Sequence, residues 1–386
     1  MDFRLSEAQS DLKEAARRFA REQMTPVAEE IEASGSALSR DWLKRYAEMG
    51  FLGINVPESY GGMGLGNLEA LLVLEEFAKV SSAVAFPIFE SSVGPIRAVE
   101  HFASDTLKQR IVPSVCRGEM IVAVAMSEPD AGTALTDLKT RAEITGSKIV
   151  INGNKRWCSG GGHSDAYVVY CRLSDAPGAK GVGAVLVEKE TAGVSFGEQE
   201  ALMGFRGIPS ADIYFDNVEV PVDNLIVPAG GFPKLMEAFD LERCGNATMA
   251  LAQAAGALED VLDYVQERQQ FGKSIVEFQA VQLKLAEMAM RVEAGRLLIH
   301  RAAVNSQDGL PSIYESSTAK CFTNEIAREV TGAALQLMGG YGYSKEYPME
   351  RRMRDAWGWG IAGGTIDIQK INIASAMVGR RFNQRA

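Results

Sequence analysis

Histidine is scarce in this chain. His101, His163 and His300 are its three, and none stands at metal-ligand spacing from another. Zinc sites draw on clustered His, Cys and carboxylate ligands, so a metal centre is not expected, and each histidine reads as a surface or hydrogen-bonded residue. The five cysteines, Cys116, Cys158, Cys171, Cys244 and Cys321, are odd in number and contain no C-x-x-C pair. They read as the reduced thiols of an intracellular enzyme rather than a disulfide framework. No P-loop is present, and no G-x-G-x-x-G follows a strand pattern, which removes the commonest nucleotide-binding folds. Positive charge is also short: 40 Lys and Arg against 50 Asp and Glu leave a net charge of −10, the wrong sign for phosphate backbones. Apolar runs such as Leu71 to Leu74 fall far short of the ~20 residues a membrane helix needs. Met1 leads almost at once into a helical pattern, which leaves no room for a leader, so a cytoplasmic protein is expected.

What the chain does have is apolar content, 46% of 386 residues, enough for a large core and two or three domains. It divides into three blocks, 1–119, 120–229 and 230–386. In the first, Ser6-Glu7-Ala8-Gln9 is a capping box, and Leu12, Ala16, Phe19 and Ala20 recur at helical spacing. Glycines 61, 62, 64 and 66 interrupt before a helix over Leu68–Phe77, and Pro113 and Gly118 close the block. In the second, short β-rich runs (Ile121–Val124, Ala166–Tyr170, Val182–Val187) are separated by turn residues, and Asn152-Gly153 predicts a hairpin turn. In the third, helical patterns span Leu235–Gln269, Phe278–Gln307 and Ile313–Leu337. Helices, then strands, then helices describe an α+β composite rather than alternating βαβ units.

Five segments carry more than this pattern. They are Ala125-Met126-Ser127-Glu128-Pro129-Asp130-Ala131-Gly132-Thr133; Lys155-Arg156-Trp157-Cys158-Ser159-Gly160-Gly161; Arg268-Gln269-Gln270-Phe271-Gly272-Lys273 with Gln279; Gln336-Leu337-Met338-Gly339-Gly340-Tyr341-Gly342; and Met353-Arg354-Asp355 through Gly364-Thr365-Ile366-Asp367-Ile368-Gln369-Lys370. Singly, each has an ordinary reading: turn formers, a core tryptophan, a helix C-cap. Together, and over nearly the whole chain, they resemble the acyl-CoA dehydrogenase family. The resemblance implies an N-terminal helical domain, a middle β-barrel-like domain and a C-terminal four-helix bundle, assembled as a homotetramer. It also implies bound FAD, an acyl-CoA substrate and an electron-transfer flavoprotein as electron acceptor.

Residue by residue, the resemblance assigns the flavin to Met126, Ser127, Thr133, Trp157 and Ser159. The FAD of a neighbouring subunit falls to Arg268, Phe271, Gln279, Gln336, Gly339 and Gly340, with Thr365 and Asp367 also on the cofactor. Thr133 and Gly364 touch the acyl-CoA, while Asp240 and Arg243 line its channel. Donors at the flavin's pyrimidine edge stabilise the charge of the reduced ring, and Arg268 suits a pyrophosphate because it donates bidentately.

One departure matters. Most of the family reads Tyr-Glu-Gly-Thr where this chain reads Ala362-Gly363-Gly364-Thr365, and the missing Glu is the base that takes the Cα proton. Gly363 keeps the backbone N–H that helps hold the thioester oxygen. Isovaleryl-CoA and long-chain acyl-CoA dehydrogenases, which this chain resembles here, carry the base directly before the residue matching Arg243, and Glu242 occupies that position. The ordinary alternative for Glu242 is a solvated helix residue bridging to an Arg. Other readings remain: a desulfinase-like or oxidase-like relative, or a dead acyl-CoA- or FAD-binding protein. The small residues of Trp357-Gly358-Trp359-Gly360-Ile361-Ala362-Gly363-Gly364 suggest room, with two flat tryptophans, for a branched, alicyclic or aryl-bearing acyl group. Packing of those tryptophans in the core is the competing expectation. Val84 stands about where relatives that handle an ω-carboxylate place an Arg.

Overall fold

The computed structural model describes residues 3–382. Seven helices come first: α1 (Glu7–Phe19), α2 (Thr25–Ser34), α3 (Arg40–Glu48), α4 (Asn67–Val80), α5 (Ser82–Ile88), α6 (Ile96–Phe102) and α7 (Asp105–Cys116). The expected capping box opens α1, with Ser6 Oγ accepting from Gln9 N and Gln9 Oε1 from Ser6 N. A π-helical turn, Phe89–Val93, follows α5. Pro113 lies inside α7 rather than beyond it, so the block closes at Gly118, whose φ of 68° ends the helix region as glycine can.

Eight strands follow: β1 (Val122–Ala125), β2 (Arg141–Thr145), β3 (Lys148–Ser159), β4 (Ala166–Arg172), β5 (Val182–Glu188), β6 (Val194–Phe196), β7 (Ser210–Pro221) and β8 (Leu225–Val227). They form one mixed sheet, β6-β7-β3-β2-β4-β5-β8, with β1 paired parallel to β4. β4 and β5 are buried along most of their length because both faces are covered. Val168 and Tyr170 pack towards α6, α7 and the start of the long helix after the sheet. The alternate residues Tyr167, Val169 and Cys171 meet Ile149, Ile151, Ile213 and Val218, so the β3–β7 arm folds over the β4–β5 arm.

The turn expected at Asn152-Gly153 is not there. The β2–β3 reversal is at Gly146-Ser147, between the paired Thr145 and Lys148. Asn152-Gly153 is instead an irregularity within β3, at a register shift against β7. Gly153 has φ 144°, and a Cβ there would stand 2.6 Å from Thr140 Oγ1, so glycine serves close approach rather than a turn.

The last block holds α8 (Phe232–Glu267), the short hairpin β9 (Gln269–Gln270) and β10 (Lys273–Ser274), then α9 (Gln279–Val304) and α10 (Ile313–Met338). The one-turn α11 (Gly340–Tyr343), α12 (Met349–Trp359) and α13 (Ile366–Val378) complete it. α8 and α10 pack lengthwise and share one core with α1 and α4, where Phe19, Tyr46, Phe51 and Phe77 meet edge-on or tilted at ring-centroid distances of 5.1–6.0 Å. The five cysteines are buried and unpaired. Among the described residues, no helix is long and apolar enough to cross a membrane.

The first and last blocks are also tied by charge. Glu75 of α4, 2% exposed, accepts from Arg296 of α9 at 2.8 and 3.2 Å. Although burial opposes ionisation, Arg296, Lys79 and Lys13 draw its pKa down to about 2. A depressed carboxylate pKa contributes stability that is complete above the unfolded value and lost as pH falls through the folded one. Acid unfolding of the wild type should therefore steepen between pH 4.5 and 2. Glu75→Gln is expected to lower stability at pH 7 by about 3 kcal/mol and to flatten that acid limb. Denaturant melts from pH 2 to 7 check this, and parallel curves for the two proteins would refute it.

Candidate active site

The first two sequence segments are brought together by a buried lysine. Lys155 of β3 is fully buried and donates to Glu128 Oε1 at 2.8 Å and Met126 O at 3.1 Å. Glu128 also accepts from the amides of Lys139 and Thr140, and Arg156 N donates to Ser127 O at 2.9 Å. The loop carrying Met126 and Ser127 is thus clamped beside Trp157 and Ser159. Sequence reading missed Lys155 and Glu128; a charge pair of opposite sign inside two adjacent motifs was the available signal. Trp157 sits at a β3 register shift with φ 59° and is 52% exposed, its ring under the Arg156 guanidinium at 4.1 Å. A tryptophan held in left-handed backbone with half its surface uncovered is a strained position in a strand. Thr133 lies exposed farther along the loop.

The third and fourth segments also meet. Arg268, just past α8, stacks on Tyr341 at 5.6 Å, and Tyr264 of α8 donates to Met338 O at 3.3 Å. Phe271 and Gly272 are the two turn residues of β9–β10, both at positive φ, and Phe271 is 94% exposed. Gln279 begins α9, and both it and Gln336 are exposed. Cβ atoms placed on Gly339 or Gly340 would meet nothing within 4 Å. Arg268 beside the uncovered backbone of Gly339 and Gly340 offers donors of the kind an anionic group such as a pyrophosphate takes.

Glu242 and Gly363 are assembled around α8. The Ala362–Gly364 loop joins α12 to α13 and is fastened from below: Lys320 Nζ donates to Ala362 O at 2.6 Å and Asn246 Nδ2 to the same oxygen at 3.2 Å. Asn324 Nδ2 donates in turn to Asn246 Oδ1 at 3.0 Å. Gly363 and Gly364 have φ 65° and 86°, where a side chain is strained. A Cβ on Gly363 would have Asn246 Nδ2, Lys320 Nζ and Phe239 between 3.6 and 3.7 Å away. The Gly363 N–H has no acceptor among the described residues. Thr365 caps α13 through Ile368 N, with Asp367 exposed beyond it.

Glu242 is half-buried one turn before Asn246 on α8. Its desolvation pushes its pKa up to about 8 against the lowering pull of Arg243 and Lys320. It has no ion-pair partner among the described residues, so the solvated Glu–Arg bridge does not form. Arg243 pairs instead with Asp240, which also accepts from Ser316 Oγ at 2.7 Å; both pair members are buried. Lys320, 1% exposed, is drawn down to about 7 by the same burial. Lys320 thus reaches the Glu242 carboxyl through its charge and the Ala362 carbonyl, next to the Gly363 amide, through a hydrogen bond.

The tryptophans do not join them. Trp359 is buried against Phe205 (4.7 Å) and Phe89 (6.2 Å), with Nε1 donating to Ser82 Oγ. Trp357 faces outward under Arg328. Gly358 and Gly360 admit Phe205 and Arg328 rather than leaving a void. The core expectation holds for Trp359.

Family models for the acyl-CoA dehydrogenase N-terminal, middle and C-terminal domains match residues 6–119, 123–218 and 229–378. The chain belongs to the acyl-CoA dehydrogenase family. It is 38% identical to the acryloyl-CoA reductase (NADH) of Anaerotignum propionicum over 98% of this chain and 97% of that one. It is 36% identical to a 3-sulfinopropanoyl-CoA desulfinase of Paraburkholderia xenovorans (strain LB400), over 99% of each. Butyryl-CoA dehydrogenase from Megasphaera elsdenii superposes with TM-score 0.94 at 32% identity, covering 98% of this chain and 100% of that one. PigA in its FAD complex superposes at TM-score 0.92 and 29% identity, covering 98% and 99%.

Since the Lys320 ammonium lowers the Glu242 pKa, Lys320→Met is expected to raise the pH at which the site becomes basic by about one unit. The pH dependence of flavin reduction by substrate reports it. A midpoint that stays put or falls would separate Lys320 from Glu242.

Proposed function

We propose that this protein is an FAD-dependent acyl-CoA dehydrogenase in which Glu242 takes the Cα proton of the thioester. The observation that carries the reading is the half-buried, unpaired Glu242 beside a loop that has Gly363 where the family's usual base would stand. A Cα–H beside a thioester is a weak acid, so its base must be poised well above an ordinary carboxylate, and desolvation supplies that. The free N–H of Gly363 would donate to the thioester oxygen as negative charge builds there, a contact worth about 2.7–4 kcal/mol in comparable sites. Lys320 and Asn246 hold the Ala362 carbonyl and so orient that N–H. Bound FAD would supply the acceptor for the hydride leaving Cβ, and an electron-transfer flavoprotein would take the electrons onward. Ser127, Thr133, Trp157 and Ser159 would hold the flavin ring and shield it from water. Having no side chain on the loop at Gly363 favours a branched or alicyclic acyl group, while the aryl-stacking argument loses its tryptophans.

Anaerobic mixing of the FAD-loaded protein with butyryl-, isovaleryl-, octanoyl- and cyclohexanecarboxyl-CoA is expected to bleach the flavin. The fastest reduction should come from a branched or ring-bearing chain. Glu242→Gln should slow reduction at least about 10³-fold while acyl-CoA binding persists. Undiminished reduction in that variant would exclude Glu242 as base, and bleaching by none of the panel would overturn the dehydrogenase reading.

A homotetramer is part of the same proposal. Leu283, Met290, Leu297 and Val304 recur every seven residues along α9 and are 67%, 66%, 39% and 66% exposed. An apolar stripe of that length is a helix-packing seam without its partner. Light scattering should return a tetramer, and Leu283→Glu with Met290→Glu should break it and weaken FAD retention. A stable, FAD-saturated wild-type monomer would refute the assembly.

A further inference from the structure

Glu90 is a buried carboxyl that the chemistry above does not use. It lies on the π-helical turn after α5 and is 7% exposed. That turn presses against α8 at Gly245, where a Cβ would stand 2.5 Å from Val93 and 2.8 Å from the Phe89 ring. Glycine there lets the turn come within reach of the Glu242 segment. No side chain or amide among the described residues hydrogen-bonds the Glu90 carboxyl. It borders a small cavity of about 30 Å³ between the N-terminal helices and the sheet, otherwise walled by residues such as Leu38, Phe86, Ile121 and Gly160. The same wall carries the Ser164 hydroxyl, which is fully buried and also has no hydrogen-bond partner. Gly160 admits it: a Cβ on Gly160 would overlap Ser164 Oγ at 2.1 Å. The volume accommodates about two water-sized groups.

Two unpartnered polar groups facing one cavity in an apolar wall are costly unless something hydrogen-bonds them. The surrounding charge decides what. Burial and Glu242 keep Glu90 well above the usual carboxylate range, with Asp165 adding to the effect and Arg40 opposing it. Arg40 is itself paired to Asp165 at 2.7 Å. His163, at the cavity wall, is held below its ordinary pKa by burial. That environment favours the protonated carboxyl of Glu90, which can donate as well as accept, and an anion entering this space would face Glu242 and Asp165 with no unpaired cation lining it among the described residues.

We propose that Glu90 and Ser164 form a specificity subsite that hydrogen-bonds a hydroxyl or carbonyl group on the distal carbon of the acyl chain and rejects a carboxylate or sulfinate there. The proposal rests on the dehydrogenase reading only in placing the reacting carbons at Glu242.

The test compares matched pairs of acyl-CoA, the ω-hydroxy compound against its ω-methyl parent, for chains of four to eight carbons. Both kcat/KM with an artificial electron acceptor and Kd for the FAD-loaded protein by calorimetry are measured. At one chain length the ω-hydroxy compound is expected to win by about tenfold in both, and the ω-carboxy compound to lose to the parent. Glu90→Leu and Ser164→Ala should each bring the hydroxy-to-parent ratio towards one, while Glu90→Gln, which still donates and accepts, should preserve most of it. Using ratios within one variant cancels any loss from imperfect folding. A Kd preference without turnover would keep the subsite and sink the dehydrogenase reading. No preference at any length, or a preference untouched by Glu90→Leu, would overturn the subsite.

Discussion

The desolvation of Glu242 is the constraint on which the rest of the site depends. Water alone would leave this carboxyl ionised and weakly basic. α8 and the Ala362–Gly364 loop place it in apolar surroundings instead, and burial wins over the opposing pull of Arg243 and Lys320. Arg243 could have neutralised it directly, but the guanidinium is taken by Asp240, itself fixed by Ser316. The buried Asp240–Arg243 pair is therefore less a source of stability than a means of keeping the Arg243 guanidinium from pairing with Glu242.

In the proposed mechanism the carboxylate moves from the loop to the helix, and this has structural consequences. A base on the loop needs a residue with a side chain at position 363, whereas the left-handed backbone seen there favours glycine. The helix is the stiffer platform, because α8 is packed along its length by α4, α10 and α12. The loop is then left with a backbone task, presenting one N–H, and Lys320 and Asn246 fix it by holding the carbonyl one residue earlier. The Lys155–Glu128 pair does the same for the loop carrying Ser127, locking it to the strand that carries Trp157.

Much of this was legible in the sequence. The helix–strand–helix order follows from a change of hydrophobic period, and the Ser6 cap follows from local hydrogen bonding that needs no tertiary partner. The burial of β4 and β5 on both faces was written in their unbroken Val, Tyr and Ala runs. Where the reading failed, long-range contact overrode local signal: Asn152-Gly153 has turn chemistry, yet Thr140 needs the space of Gly153 and the strand runs on through it.

The sequence by itself determined which residues were available: a glycine at 363, a glutamate at 242, and flavin-type motifs at fixed spacings, because these are matters of residue identity and near-neighbour geometry. Only the tertiary structure decided what they do. It sent Trp359 into the core and Trp357 to the surface, paired Arg243 with Asp240, and set Glu90 and Ser164 against an apolar cavity. The physical reason is that a side chain's pKa, solvation and reach depend on groups tens to hundreds of residues away in the chain. Identity is local, but burial and partnership belong to the packed fold.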